Sequence, residues 1–126
     1  MRRRFRVTRN EDFQTIIRQN HSFAGKNFVV YYSPTTCVTN DRAGISVSKR
    51  LGNAVVRNKV KRQVRMMISE ITDFKRGADL IVIVRKNYMH NDYRTNKKEL
   101  NMLCEKVYNN LDALIGGYKN EEITKQ

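Results

Sequence analysis

A chain of 126 residues with 40% hydrophobic content and a net charge of +13 has apolar material for a single core, and far more positive charge than an indifferent surface needs. No run of eighteen apolar residues occurs, so no membrane span is expected, and the basic opening MRRRFRVTRN lacks the apolar segment of a secretory signal. Residues 1–65 carry fifteen Lys/Arg against three acids, a net +12, whereas residues 66–126 carry ten against nine, a net +1. Charge so polarised points to a polyanionic partner met by one region.

Taken in chain order, residues 1–8 form a basic arm around Phe5 and Val7. TRNEDFQTIIRQN reads as a short helix: Thr8 and Glu11 fit a capping box, Asn10 is a rival cap, and Phe13, Ile16 and Ile17 share a face. Asn20 suits a left-handed C-terminal cap. HSFA (21–24) allows a short first strand, and KNFVVYYS (26–33), rich in β-branched and aromatic residues, is a main one. PTTCVTNDR is a turn-rich loop, and AGISVS (43–48) is the next strand. Gly52-Asn53 breaks the chain, with Asn53 placed to cap a helix. ADLIVIVRK (78–86) is a strand apolar on both faces, hence central in its sheet. A last helix runs from about Asp92 to Ile115 with Leu100, Leu103, Cys104, Val107, Leu111 and Leu114 on one stripe, before a frayed, flexible tail at 116–126. The organisation is therefore α+β, one domain over residues 9–115, in the order αβββαβα. Cys37 falls in the loop and Cys104 on the last helix; with no secretory signal, both read as reduced thiols of a cytoplasmic protein rather than as a disulfide.

The helix after Asn53 carries the informative chemistry. Val56, Val60, Val64, Met67 and Ile71 recur at spacings of four, four, three and four, the mark of a buried stripe. Arg57, Lys61 and Arg65 recur every four residues on another face, with Lys59 and Arg62 close by and Lys49 and Arg50 just ahead. Like charges at such spacings cost roughly 0.2–0.5 kcal/mol per pair, so the four pairs here cost on the order of 1–2 kcal/mol without a counter-charge. A merely solvated face would be laced with Glu, yet the first acid after Asp41 is Glu70. The face reads as a polyphosphate-binding surface, with Asn58 able to donate and accept among the cations.

Other chemistry is thin. His21 and His90 are isolated, without the spacing of a metal site, and Glu11-Asp12 complements a helix dipole. No phosphate-cradling glycine loop, GxSxG or nuclease constellation is present. A helix-turn-helix DNA binder would need a short helix before the cationic one, where AGISVS reads as a strand. A ribosomal or other general basic RNA-binding protein would share the charge but not the long motif described next.

GISVSKRLGNAVVRNKVKRQVR resembles the signature GxSVSKKxGNAVxRNRxKRxxR of the protein subunit of bacterial ribonuclease P. NEDFQ, FVVYY and LIVIVRK extend the resemblance, in matching order, over about residues 5–115. Lys59 stands where that family has an arginine, which removes one planar fork for phosphate, and Ile17 stands where an aromatic is often found. The resemblance implies a four-stranded sheet with helices, similar to a domain of a ribosomal protein and of a translocating elongation factor, with a left-handed βαβ crossover. It implies no catalytic residue in the protein: the RNA subunit cleaves precursor tRNA to its mature 5′ end with Mg2+ held largely by RNA and substrate. The protein's partners would be that catalytic RNA and precursor tRNA, with no membrane and no DNA. By position, the RNA contacts implied are Lys49, Arg50, Asn53, Arg57, Asn58, Lys59, Lys61, Arg62 and Arg65. The implied cleft for the single-stranded 5′ leader is lined by Phe13, Ile17, Val29, Tyr31, Val82 and Val84. Alternation along strands agrees in part, since Val29 and Tyr31 share one face and Val82 and Val84 share one, and aromatic grooves suit single strands whose bases stack.

Overall fold

The computed structural model describes residues 5–34 and 40–124, with side chains as far as Leu111; Cys37 lies outside them. The elements are α1 (Asn10–Arg18), β1 (Ser22–Ala24), β2 (Phe28–Pro34), β3 (Ala43–Val47), α2 (Ala54–Ile71), β4 (Ala78–Val84) and α3 (Tyr93–Thr124), with 3-10 turns at Lys49–Leu51 and Lys86–His90. The expected αβββαβα order is found. The four strands form one mixed sheet in the order β1-β2-β4-β3. β1 and β4 flank β2 antiparallel, and β3 lies parallel to β4 with α2 as the crossover between them. β4 is therefore internal, which is why alternation is lost in its sequence: six of its seven residues are buried.

Register assigns the two faces of the sheet. Phe28 pairs with Val84 and Val30 with Val82, and all four belong to the main core with Val60, Val64, Met67 and Ile68 of α2 and Leu100, Leu103, Val107 and Leu111 of α3. Burying each such side chain contributes about 1.5–3 kcal/mol. Val29 pairs with Ile83 and Tyr31 with Ile81, and this second face receives α1. There Val7, Ile16 and Ile81 form a smaller cluster, against which Phe13, Ile17, Tyr31 and Ile83 pack half-buried.

Several local expectations hold and others shift. Asn53 Oδ1 accepts from Val56 N at 3.0 Å and caps α2. Asn20 takes the left-handed conformation, φ 57°, just past the end of α1. Asp92 Oδ1 accepts from Thr95 N at 2.8 Å and starts α3. The buried stripe of α2 is centred one step away from expectation, with Ile68 buried while Val56 and Ile71 are half-buried. Neither Thr8 nor Asn10 caps α1: Arg9 holds the N-cap position without a side-chain hydrogen bond. The arm explains this, because Val7 N donates to Ala43 O at 2.9 Å and Arg6 bridges Ala43, so the chain enters α1 from a pairing with β3. The backbone of α3 also runs past Gly116 and Gly117 to Thr124, where an end near Ile115 was expected. Each glycine costs a helix only about 1 kcal/mol, less than a continuing ladder of hydrogen bonds can absorb.

Candidate nucleic-acid interface

Lys49 and Arg50 sit exposed on the 3-10 turn before α2, where Ser48 Oγ accepts from Arg50 N at 3.2 Å. Asn53 is spent on the helix cap. Arg57, Lys61 and Arg65 follow along one half-buried flank of α2, and Asn58, Lys59 and Arg62 are exposed. The ion pairs among the described residues join Arg42 to Asp12 and Asp79, and Lys97 to Glu70; none of the seven cations between Lys49 and Arg65 takes part. Arg57 Nε is buried without a hydrogen-bond partner among the described residues. Burial, and secondly the neighbouring charge of Arg6, lowers the Arg65 guanidinium below its ordinary value. The arm thus adds a cation to this flank, which the helical spacing of α2 alone does not reveal.

The residues expected to line a cleft fall where α1 packs on the second face of the sheet, with the exception of Val82 and Val84. Arg42 anchors α1 there, its Nη1 donating to Asp12 Oδ2 at 3.2 Å and its Nη2 to the buried Asp79 at 2.8 Å. The Asp79 hydrogen bond, outweighing burial, raises the Arg42 guanidinium. Phe13 projects over Gly44 of β3, and a cavity of about 360 Å3 opens between Thr8, Asn10, Phe13, Ser46 and Lys61. Lys61 therefore belongs to both surfaces: it is one of the α2 cations and a wall of the space beside Phe13. Lys59 lies on the opposite flank of α2, beside the Lys86–His90 turn.

Phe13, Ile17, Val29 and Tyr31 are half-buried on the α1 side, where a groove would need them. Val82 and Val84 are not. They are 0% and 2% exposed in the main core, on the opposite face. Ile81 and Ile83 occupy the α1 side instead, because antiparallel partners share a face and these two pair with Tyr31 and Val29. Gly44 and Ser46 of β3 complete that side. Sequence alone could not choose between the two pairs in ADLIVIVRK, since every one of them is apolar. Among the described residues no cluster of His, Cys, Asp or Glu could hold a metal ion, and no helix is long and apolar enough to cross a membrane.

An acid-free cationic helix flank beside the half-buried rings of Phe13 and Tyr31, carried on a small α+β sheet, defines a class of basic nucleic-acid-binding domains. Comparison with known proteins is more specific. The ribonuclease P family model matches residues 1–108. The chain is 41% identical over 101 residues to ribonuclease P protein components of Bacillus cereus, covering 79% of this chain and 88% of that protein, and of Bacillus anthracis, covering 79% and 85%. The Staphylococcus aureus RNase P protein superposes with a TM-score of 0.73 at 35% identity, covering 82% of this chain and 94% of that one. The Thermotoga maritima RNase P protein superposes with a TM-score of 0.65 at 30% identity, covering 78% and 94%. The chain belongs to the ribonuclease P protein component family, and so is a protein subunit of that complex.

Proposed function

We propose that this protein binds the catalytic RNA of ribonuclease P through the cationic flank of α2 and receives the single-stranded 5′ leader of precursor tRNA in the groove under α1. The observation that carries the reading is the position of Lys61, which joins the two surfaces at Phe13. Cations along Arg57, Lys61 and Arg65 neutralise phosphates. The half-buried rings of Phe13 and Tyr31 offer faces on which bases stack. A strand entering the groove would pass Lys61 and so reach the RNA-bound flank.

In this reading the hydrolysis of precursor tRNA belongs to the RNA subunit, and the Mg2+ it uses belongs with that RNA. The protein's part is to bind, to orient the leader and to offset repulsion between two polyanions. A buried, free Cys104 thiol fits a reducing cytoplasm. The test is the affinity of the assembled holoenzyme for tRNA with and without several leader nucleotides. Tighter binding of the leader-bearing form, and only when the protein is present, is expected; equal affinity for the two forms would overturn the groove assignment.

A further inference from the structure

The flank of α2 turned away from the groove carries a different chemistry. Val55, Lys59, Gln63 and Met66 follow one another there at helical spacing. Four large apolar side chains are exposed among the described residues, Val55 (76%), Met66 (60%), Met102 (52%) and Met89 (45%). All but Met102 lie on this flank or on the Lys86–His90 turn beside it. Between flank and turn is a cavity of about 250 Å3, walled by Val56, Val60 and Met89, with Gln63, Asn91 and the exposed Lys59 also lining it.

Its polar groups are held in place from behind. The Tyr88 hydroxyl donates to Gln63 Oε1 at 2.7 Å. Burial pushes the Tyr88 phenol up to about 12, so it stays a donor. That bond uses the Gln63 oxygen and leaves the amide N–H groups free to donate to a ligand. The Asn91 amide nitrogen donates to Asn27 Oδ1 at 3.1 Å and to Asn87 O at 2.9 Å, which leaves its own oxygen free to accept. The cavity therefore offers a positioned donor, a positioned acceptor, apolar walls and a cation.

We propose that this cavity receives one unstacked nucleobase of the catalytic RNA, a contact separate from the phosphate-binding flank and resting on the function proposed above. The edge of every base pairs a donor with an acceptor, its faces suit apolar walls, and Lys59 lies within the same cavity to meet the adjoining phosphate. Drug-sized ligands fill roughly 300–1,000 Å3, so a smaller space suits a single ring system. A wholly apolar partner would leave Lys59 and both amide groups unpaired on burial. The cations of α2 select a polyanion over a protein segment.

Gln63→Leu and Met89→Ala test this in the holoenzyme assembled with catalytic RNA, by affinity across a salt series and by chemical probing of base edges. Neither change removes a charge. Each is expected to weaken binding about tenfold while leaving the salt slope unaltered. Probing is expected to find one unpaired nucleotide of the catalytic RNA that wild-type protein protects and Gln63→Leu exposes, with the rest of the footprint unchanged. Met89 is exposed, so its truncation keeps the test valid if Gln63→Leu fails to fold. Wild-type affinity and an unchanged footprint for both variants would overturn the pocket alone, as would protection found only on precursor tRNA. Wild-type protein that does not bind the catalytic RNA would overturn the proposed function with it.

Discussion

The ring of Phe13 occupies the space that a side chain at residue 44 would need: a Cβ built on Gly44 would stand 2.5 Å from Phe13 Cζ and 2.9 Å from Ile81 Cδ1. α1 lies this close to the sheet because residue 44 has no side chain. Gly44→Ala should therefore lift Phe13 off the sheet. Overpacking of this kind costs typically about 1–3 kcal/mol. The expected result is a lower urea midpoint together with weaker holoenzyme binding of leader-bearing precursor tRNA. Unchanged values of both would mean that α1 has room to spare.

Tyr31 lies half-buried on the α1 side of the sheet, while its neighbours Val30 and Tyr32 face the main core. Tyr31→Leu keeps apolar bulk and removes the ring, so the loss should be a stacking loss of about 1–3 kcal/mol per base. It should weaken binding of precursor tRNA and spare both mature tRNA and assembly with the RNA subunit. Ile17→Phe should act in the opposite sense, restoring an aromatic platform beside Phe13. Equal losses for precursor and mature tRNA on Tyr31→Leu would return Tyr31 to a packing role.

The cations of α2 should betray themselves in salt dependence. Arg57→Ala, Lys61→Ala and Arg65→Ala should each lower the log–log salt slope for binding the RNA subunit by roughly 0.7–0.9 for every phosphate that is no longer neutralised. None should unfold the protein, since none pairs with a carboxylate among the described residues and Arg65 is already opposed by Arg6. Lys61→Ala should in addition weaken leader binding, because Lys61 alone of the three lines the space beside Phe13. Unfolded variants with an unaltered slope would make the flank structural.

Stability should fall on the alkaline side. Burial pushes the Cys104 thiol and the Tyr88 and Tyr108 phenols up to about 12. In the unfolded chain a thiol titrates near about 8.5 and a phenol near about 10. Above the lower of these values the unfolded chain binds fewer protons than the native one, so stability declines with rising pH until the native groups also ionise near about 12. Urea midpoints should thus be level up to roughly pH 8.5 and drop beyond it. Cys104→Ala should delay the first part of the drop. Rapid alkylation of Cys104 in the native protein would contradict the burial on which this rests.

Much of this was legible in the chain. The cationic flank could be read because helical spacing is local: Arg57, Lys61 and Arg65 fall together whatever the rest of the fold does. Asn53 and Asn20 could be read for the same reason, as each acts within a turn. The face of β4 could not. Ile81, Val82, Ile83 and Val84 are all apolar, and only pairing with Tyr31 and Val30 decides which of them meets α1. The cap of α1 was misplaced because Val7 is held by Ala43, a residue far along the chain. Arg42 gave no signal either, since Asp12 and Asp79 come together only when α1 lies on the sheet.

The most direct test of the central claim is cleavage of precursor tRNA at low magnesium by the RNA subunit alone, by this protein alone, and by the two together. A protein of net charge +13 should offset the repulsion between two RNAs that otherwise demands high magnesium. The expected outcome is little cleavage with RNA alone, none with protein alone, and a large gain with both. Robust, site-specific cleavage by the RNA-free protein, or no gain on adding it to the RNA subunit, would contradict the account.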